Sequence, residues 1–386
     1  MITIINNNTI KGMSRRFRRR FLTLNSSLLT CSLLILSAMN TACSDADDPK
    51  TDLSNVTPET PVVIDRTTFP KGADVSWVTQ MEAEGMKFYN QGGTEKELMT
   101  LLKDDCGVNS IRLRVWVNPA DGWNNMDDVL IKARRANALG LRLMIDFHFS
   151  DTWADPSNQI IPAAWKDYTF DQLKAAVATH VTTMMNKLKA YNIEPEWVQI
   201  GNETRNGMMY QTEKGGDIVS YGGYYNNGAQ FATLVNAGYD AVKAIFPDSK
   251  VIVHIDSGNQ WDLYSRIFGN LKTNGGKYDI IGISLYPEND SWSDYIASAV
   301  SNIQQAYTTY GKDVMVVEFG MDYDQADACN SAITKLMTDG TATGHLAGIF
   351  YWEPETPNGY NGGYKKGCFN GGKPTTALDV FKEGAE

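Results

Sequence analysis

The chain has 386 residues, enough for one large domain, with 45 acidic against 35 basic side chains and a net charge of −10. That field disfavours nucleic acid and polyanionic polymers such as pectic acid as partners, and it tolerates a neutral ligand. Only four histidines are present and no Cys/His spacing has the pattern of a zinc site, so no metal or other cofactor is required by composition. In chain order, Lys11, Arg15, Arg16, Arg18, Arg19 and Arg20 form a basic start, and an apolar, Ser/Thr-rich run follows from Phe21 to Ala42. This is the shape of an export signal over residues 1–42. Its purely apolar core, Leu33-Leu34-Ile35-Leu36, is short for a membrane span.

The stretch T-A-C-S-D-A-D-D around Cys43 resembles a bacterial lipoprotein cleavage box followed by the acidic surface-export tract of Bacteroidetes lipoproteins. The resemblance implies an exported, cell-surface or outer-membrane protein anchored by lipid at Cys43. Residues 43–68, rich in Asp, Pro, Thr and Ser, then read as a tether that buries no core, leaving 69–386 as the folded domain. Removing the six leader cations leaves 29 basic against 45 acidic residues, a mature charge of −16. Cys106, Cys329 and Cys368 are an odd set, allowing at most one disulfide among them.

From residue 70 onward one unit recurs: a short apolar run, then a longer amphipathic stretch. The apolar runs are Ala73–Trp77, Ser110–Trp116, Arg142–His148, Trp197–Glu203, Val251–Asp256, Ile280–Tyr286, Val314–Gly320 and Gly348–Glu353. Helical patterns fall at Thr94–Lys103, Asp127–Leu139, Phe170–Tyr191, Ala229–Phe246, Ile296–Tyr310 and Ala326–Thr338. Strands alternating with helices imply parallel β-α-β units, and eight of them imply an α/β fold closed as a (β/α)₈ TIM barrel. Such a barrel places its chemistry at the C-terminal strand ends. Those ends are here polar and aromatic: Asp74 to Trp77, Arg114 to Trp116, Asp146 to Asp151, Asn202-Glu203, His254 to Asp256, Tyr286, Glu318 and Trp352-Glu353. The loops 149–166, 204–228 and 354–374 are long and follow strands, as functional loops do.

Glu203 ends the fourth strand and Glu318 the seventh, so a barrel brings both to one cleft. Two carboxyl groups facing a sugar are the minimum equipment of a glycosidase, one protonated and one ionised. Asn202 is placed to donate to a sugar 2-hydroxyl. Arg112, Arg114 and Trp116 share one strand face, so an inward arginine can hold Glu318 ionised. Tyr286 is placed to donate to the same carboxylate, and His148, on a face with Asp146, to tune either acid. Trp352 is the expected sugar platform, with Trp292 and Trp116 as further aromatic candidates and Asp151 as a further polar one. A glycan-binding surface lipoprotein without activity is the reading from another class; it would keep the tryptophans and have no need of both glutamates.

D-F-H-F-S-D-T-W-A-D-P-S-N-Q (146–159), I-P-A-A-W (161–165), G-A-D-V-S-W (72–77), I-R-L-R-V-W-V-N-P (111–119), V-Q-I-G-N-E (198–203) and V-V-E-F-G (316–320) resemble glycoside hydrolase family 53, the arabinogalactan endo-β-1,4-galactanases of glycosidase clan A. The resemblance implies a retaining mechanism with Glu203 as acid/base and Glu318 as nucleophile. It implies as substrate the neutral β-1,4-galactan side chains of type I arabinogalactan and pectin; a monomer is the expected state, though the sequence does not fix it. A clan A mannanase or xylanase shares the strand ends and lacks the first motif. Some bacterial members of the family carry calcium after the seventh strand. That region here reads M-D-Y-D-Q-A-D-A-C-N, in which Asp322, Asp324 and Asp327 are oxygen donors that suit a helix start equally well.

Overall fold

Alternation decides which strand residues face inward, and in this protein the inward positions form two stacked layers of opposite character. The computed structural model describes residues 62–212 and 224–382; the leader, Cys43 and most of the tether lie outside them. Eight parallel strands close into a barrel in sequence order. They are β1 (Lys71–Asp74), β2 (Ser110–Val115), β3 (Arg142–Phe147), β4 (Trp197–Ile200), β5 (Lys250–Ile255), β6 (Ile280–Leu285), β7 (Val314–Phe319) and β8 (Leu346–Trp352). Outside them pack α1 (Leu98–Cys106), α2 (Met126–Ala138), α3 (Phe170–Ala190), α4 (Tyr224–Ile245), α5 (Trp261–Thr273), α6 (Trp292–Tyr310) and α7 (Ala326–Ala342).

Two segments differ from the expected pattern. The helix expected over Thr94–Lys103 starts later: Glu95–Lys96 pairs with Phe88–Tyr89 in a short antiparallel ribbon, and Glu97 caps α1 by accepting from the Thr100 N–H at 2.7 Å. The first strand ends at Asp74, because Val78–Ala83 already forms a short helix. Helix α5 was not among the expected helices, although Leu263, Tyr264, Ile267, Phe268 and Leu271 bury one face. Its aromatic residues and Gly269 lower helix propensity, and tertiary packing overrides them.

The lower inward layer is apolar: Met144, Trp197, Ile252, Ile280, Met315, Val317 and Phe350 form a separate buried cluster. Trp197 and Phe350 meet edge to face at 5.8 Å. Such large side chains fit only because the facing positions are small. A Cβ on Gly72 would lie 2.1 Å from Phe350 Cδ1, and one on Gly282 would lie 2.7 Å from Ile252 Cγ2. Beneath this layer Arg142 stacks on Trp197, pairs with Glu196 and donates to Thr68 O at 2.6 Å. Arg66 reaches Glu196 at 3.4 Å, so the chain already touches the barrel before residue 69. Cys106, Cys329 and Cys368 are all buried free thiols.

The upper layer is polar and buried: Asp74, Arg112, Arg114, Asp146, Gln199, His254, Ser284 and Glu318. Glu318 joins it through a bulge. The β6–β7 pairing runs Ile283 to Val316 and then Ser284 to Glu318, so β7 carries one extra residue. The extra residue lets Val317 and Glu318 both belong to inward layers, which strict alternation forbids.

Filling the Gly72 site tests the layering. Gly72→Ala should destabilise the fold by about 1–3 kcal/mol through overpacking against Phe350, read as a lowered melting temperature, whereas an unchanged melting temperature would show that the lower layer is loosely packed.

Candidate active site

The upper layer opens into a cleft of about 530 Å³ at the C-terminal strand ends, with Glu203, Glu318, Asn202, Tyr286, His148 and Trp352 in its walls. Local backbone explains how the two glutamates arrive there. After β4 the chain turns through Gly201 (φ 84°), where a Cβ would lie 2.7 Å from Thr204 Cγ2, and Glu203 itself adopts φ 46°. A left-handed non-glycine residue is strained and needs its surroundings to hold it. Glu318 comes from the bulge in β7.

The two carboxylates have different company. Glu318 Oε1 receives Arg112 Nη2 at 2.9 Å, and Oε2 receives the Tyr286 hydroxyl at 2.8 Å. Burial raises its pKa above the ordinary carboxylate value, and Arg112 and Tyr286 oppose that rise by favouring the ionised form. Among the described residues no cation contacts Glu203, and its side-chain donor is the Ser284 hydroxyl, 2.8 Å from Oε1. Burial, and then the Glu318 carboxylate, push its pKa up to about 8. Both carboxyl groups are raised by burial, but the cation and the phenol on Glu318 favour ionisation there over ionisation of Glu203, the division that general acid catalysis beside a nucleophile needs.

Arg112 is the hub of the layer. Nη1 donates to Asp74 Oδ2 at 2.7 Å, and Nη2 lies within 2.8–3.2 Å of Asp146, Asn202 and Gln199 oxygens. His148 Nε2 meets Asp146 Oδ2 at 2.9 Å while its Nδ1 accepts from the Ala154 N–H and Trp116 Nε1–H, each at 3.3 Å. It touches Asp146, not either glutamate. Asn202 spends one amide hydrogen on Ala154 O at 2.8 Å.

Arg114 serves a second cluster. It pairs with buried Glu353 rather than with Glu318, and its guanidinium lies 4.5 Å from the Trp153 ring centroid, 5.0 Å from Trp77 and 5.3 Å from Trp116. Burial holds the Glu353 carboxyl up at about 7 and, with Glu353 beside it, the Glu355 carboxyl well above the carboxylate range. Trp352 and Trp153 line the cleft over this cluster, while Trp116 is buried behind Trp153.

Two expected site residues lie elsewhere. Asp151 accepts the Asn118 and Ala163 N–H groups at 2.9 and 2.8 Å and so ties two loops together. Trp292 opens α6, half-buried against the outer core and away from the cleft walls. Asp74 and Glu353 lie at strand ends already singled out as polar, while Gln199 and Ser284 are site residues that strand-end reading misses; each lies at an inward position two residues from another inward one, Trp197 and Gly282, and that period is the available signal. The residues after β7 do not fit a calcium ion. Asp322 pairs with Lys366 at 2.9 Å, Asp327 accepts from the Thr376 hydroxyl at 2.8 Å, and among the described residues no three carboxylate, His or Cys groups converge.

The sequence profile of glycosyl hydrolase family 53 matches residues 70–381. The arabinogalactan endo-β-1,4-galactanase of Thermothelomyces thermophilus is 32% identical over 307 residues, covering 74% of this chain and 89% of its own. A probable arabinogalactan endo-β-1,4-galactanase A of Neosartorya fischeri is 31% identical, covering 74% and 83%. Among solved structures, a fungal β-1,4-galactanase superposes with a TM-score of 0.72 at 31% identity, covering 81% of this chain and 98% of that one. A family 53 catalytic domain from Ignisphaera aggregans gives 0.71 at 29%, covering 83% and 99%.

The raised pKa of Glu203 is also a statement about stability. Folding favours its protonated form, so its contribution is complete below the unfolded value of 4.5 and is lost as pH rises through about 8. Glu203→Gln removes that dependence. The melting temperature of the variant relative to wild type should therefore climb between pH 4.5 and 8, and a constant difference across that range would show that Glu203 titrates normally.

Proposed function

The chain belongs to glycosyl hydrolase family 53 and is therefore a glycoside hydrolase, and on that premise we propose that it is an endo-β-1,4-galactanase acting on the galactan side chains of type I arabinogalactan and pectin by double displacement. The sugar and the linkage rest on the names of the relatives. The chemistry rests on one observation: the Ser284 hydroxyl stands 2.8 Å from a Glu203 oxygen and 3.4 Å from a Glu318 oxygen. Carboxyl groups that share one hydroxyl suit a retaining pair, about 5–5.5 Å apart, and not the ~6.5–9.5 Å gap that an inverting pair leaves for water.

In the first step Glu318 attacks C1 of the sugar, the glycosidic C1–O bond breaks, and the departing oxygen takes the proton from Glu203. Arg112 and Tyr286 keep Glu318 ionised until it attacks. In the second step Glu203, now a carboxylate, accepts a proton from water as the water oxygen attacks C1 and releases Glu318. The half-protonated state the cycle starts from is the one the local charges favour. Trp352 and Trp153 offer the apolar face on which a neutral galactosyl ring stacks.

We further propose that the chain is exported and anchored at a membrane surface through lipid on Cys43, with the following residues as tether; the basic start, the apolar run and the small residues before Cys43 support this.

Linear β-1,4-galactan, mannan and xylan offered separately should yield mixed galacto-oligosaccharides from galactan alone, seen by chromatography over time; cleavage of mannan or xylan at a similar rate would overturn the substrate. Glu318→Ala should lose turnover by about four orders of magnitude or more and still bind galactan; activity near that of wild type would remove Glu318 as nucleophile. In cells fed a radiolabelled fatty acid, label should enter the wild-type protein and not the Cys43→Ala variant, and equal labelling would refute the anchor.

A further inference from the structure

Ser284 and His254 do no chemistry in the scheme above, yet they close a ring of hydrogen bonds on the acid. The Glu203 backbone N–H points at His254 Nδ1 at 3.3 Å. His254 Nε2 lies 2.8 Å from Ser284 Oγ, and Ser284 Oγ lies 2.8 Å from Glu203 Oε1. The loop leaves Glu203 by its main chain and returns to its side chain.

The direction of each bond follows from what each atom is able to give. An N–H only donates, so His254 Nδ1 accepts from the Glu203 backbone N–H. Asn202 Oδ1, 2.9 Å from Nδ1, is already filled by Arg112 Nη2 and Gln199 Nε2 and asks for no proton there. His254 is fully buried and kept neutral by burial and by Arg112, so its single hydrogen sits on Nε2 and goes to Ser284 Oγ. The Ser284 hydrogen then has two candidate acceptors. Glu318 Oε2, at 3.4 Å, already holds the Tyr286 hydroxyl; Glu203 Oε1, at 2.8 Å, has no other donor in contact among the described residues.

We infer that His254 and Ser284 are positioning residues that hold Glu203 Oε1 as an acceptor and so confine the catalytic proton to Oε2. The same oxygen then gives the proton to the leaving group in the first step and takes it from water in the second, while the Ser284 hydrogen stays on Ser284. The ring also supplies the restraint that a left-handed Glu203 at φ 46° requires. Other ionisable groups facing Glu203 are Glu318 on β7, Arg112 on β2, Asp155 after β3, Tyr286 after β6 and Tyr295 on α6; none of them contacts Oε1.

The inference rests on the glycosidase reading, and the test separates the two. Wild type, Ser284→Ala and Ser284→Thr are assayed on β-1,4-galactan, whose leaving sugar needs a proton, and on a dinitrophenyl β-galactobioside, whose leaving group needs none. Ser284→Ala should lower kcat on galactan by about tenfold or more with KM within about twofold. It should leave the burst rate of dinitrophenolate release within about twofold of wild type. Loss of the hydroxyl, which favours the carboxylate form, should move the alkaline limb of kcat/KM on galactan to higher pH. Ser284→Thr, which keeps a hydroxyl, should recover most of the rate. His254→Asn should show the same pattern, and the double variant with Ser284→Ala should be no worse than the poorer single one. Equal losses on both substrates, or an unmoved alkaline limb, would overturn the inference and leave the galactanase reading standing. A wild-type enzyme that cleaves neither substrate would overturn that reading and the inference with it.

Discussion

One buried guanidinium has to serve three carboxylates. Arg112 sits in the upper layer of the barrel in contact with Asp74, Asp146 and Glu318. At an effective dielectric near 20, an opposite charge at 4 Å is worth about 4 kcal/mol, but a single positive charge cannot neutralise three negative ones. The shortfall is met by neutral donors: Ser76 on Asp74, Gln199 and His148 on Asp146, Tyr286 on Glu318. Among the described residues no second cation contacts the fourth carboxyl group. The Glu203 pKa is accordingly raised, and the difference between the two carboxyl groups follows from how the hydrogen bonds of Arg112 are shared out.

That allotment works only if Glu318 points inward, and regular β-structure would not point it there. Met315 and Val317 already occupy inward positions of β7, so alternation assigns Glu318 to the outer face, against the helices. The bulge reverses the register for one residue and delivers the carboxylate to Arg112. The apolar layer and the catalytic layer are thus compatible on one strand because of a single unpaired residue. A bulge costs ladder hydrogen bonds, and the ion pair it permits offsets part of that cost.

The barrel and its two glutamates were legible because both leave strong marks. Eight apolar runs alternate with amphipathic ones, and Asn202-Glu203 and Glu318 break apolar runs where a buried strand has no use for charge. Their supporting residues were less legible for a physical reason. Ser284 and Gln199 look like ordinary small or polar strand residues, and only closure of the barrel shows that each faces its axis. Arg112 and Arg114 share a strand face, so periodicity cannot say which one meets Glu318; they are two residues apart, and only the upper, Arg114, reaches the height of Glu353. Trp292 and Asp151 share the composition of site loops, but one packs on the outer core and the other braces a turn. The helix Trp261–Thr273 was hidden by aromatic residues whose burial, not propensity, makes it helical.

The second arginine shows how the sugar platform is tied to the same strand. Arg114 lies against the faces of Trp77, Trp116 and Trp153, where a desolvated cation and aromatic rings attract. A buried cation needs a counterion, and Glu353 supplies it with its own backbone at φ 47°. Trp352 is the residue before Glu353, so fixing that carboxylate also fixes the indole that faces the cleft. Trp352 in turn packs 5.4 Å from Trp77 and 5.9 Å from Trp153, closing the cluster. Burial and the neighbouring Glu353 raise the Glu355 pKa and so disfavour a second negative charge there. Strand β2 thereby carries both halves of the site, Arg112 holding Glu318 and Arg114, two residues further along, holding the tryptophan cluster; in the proposed mechanism that cluster is the floor on which the sugar lies for Glu318 to reach C1.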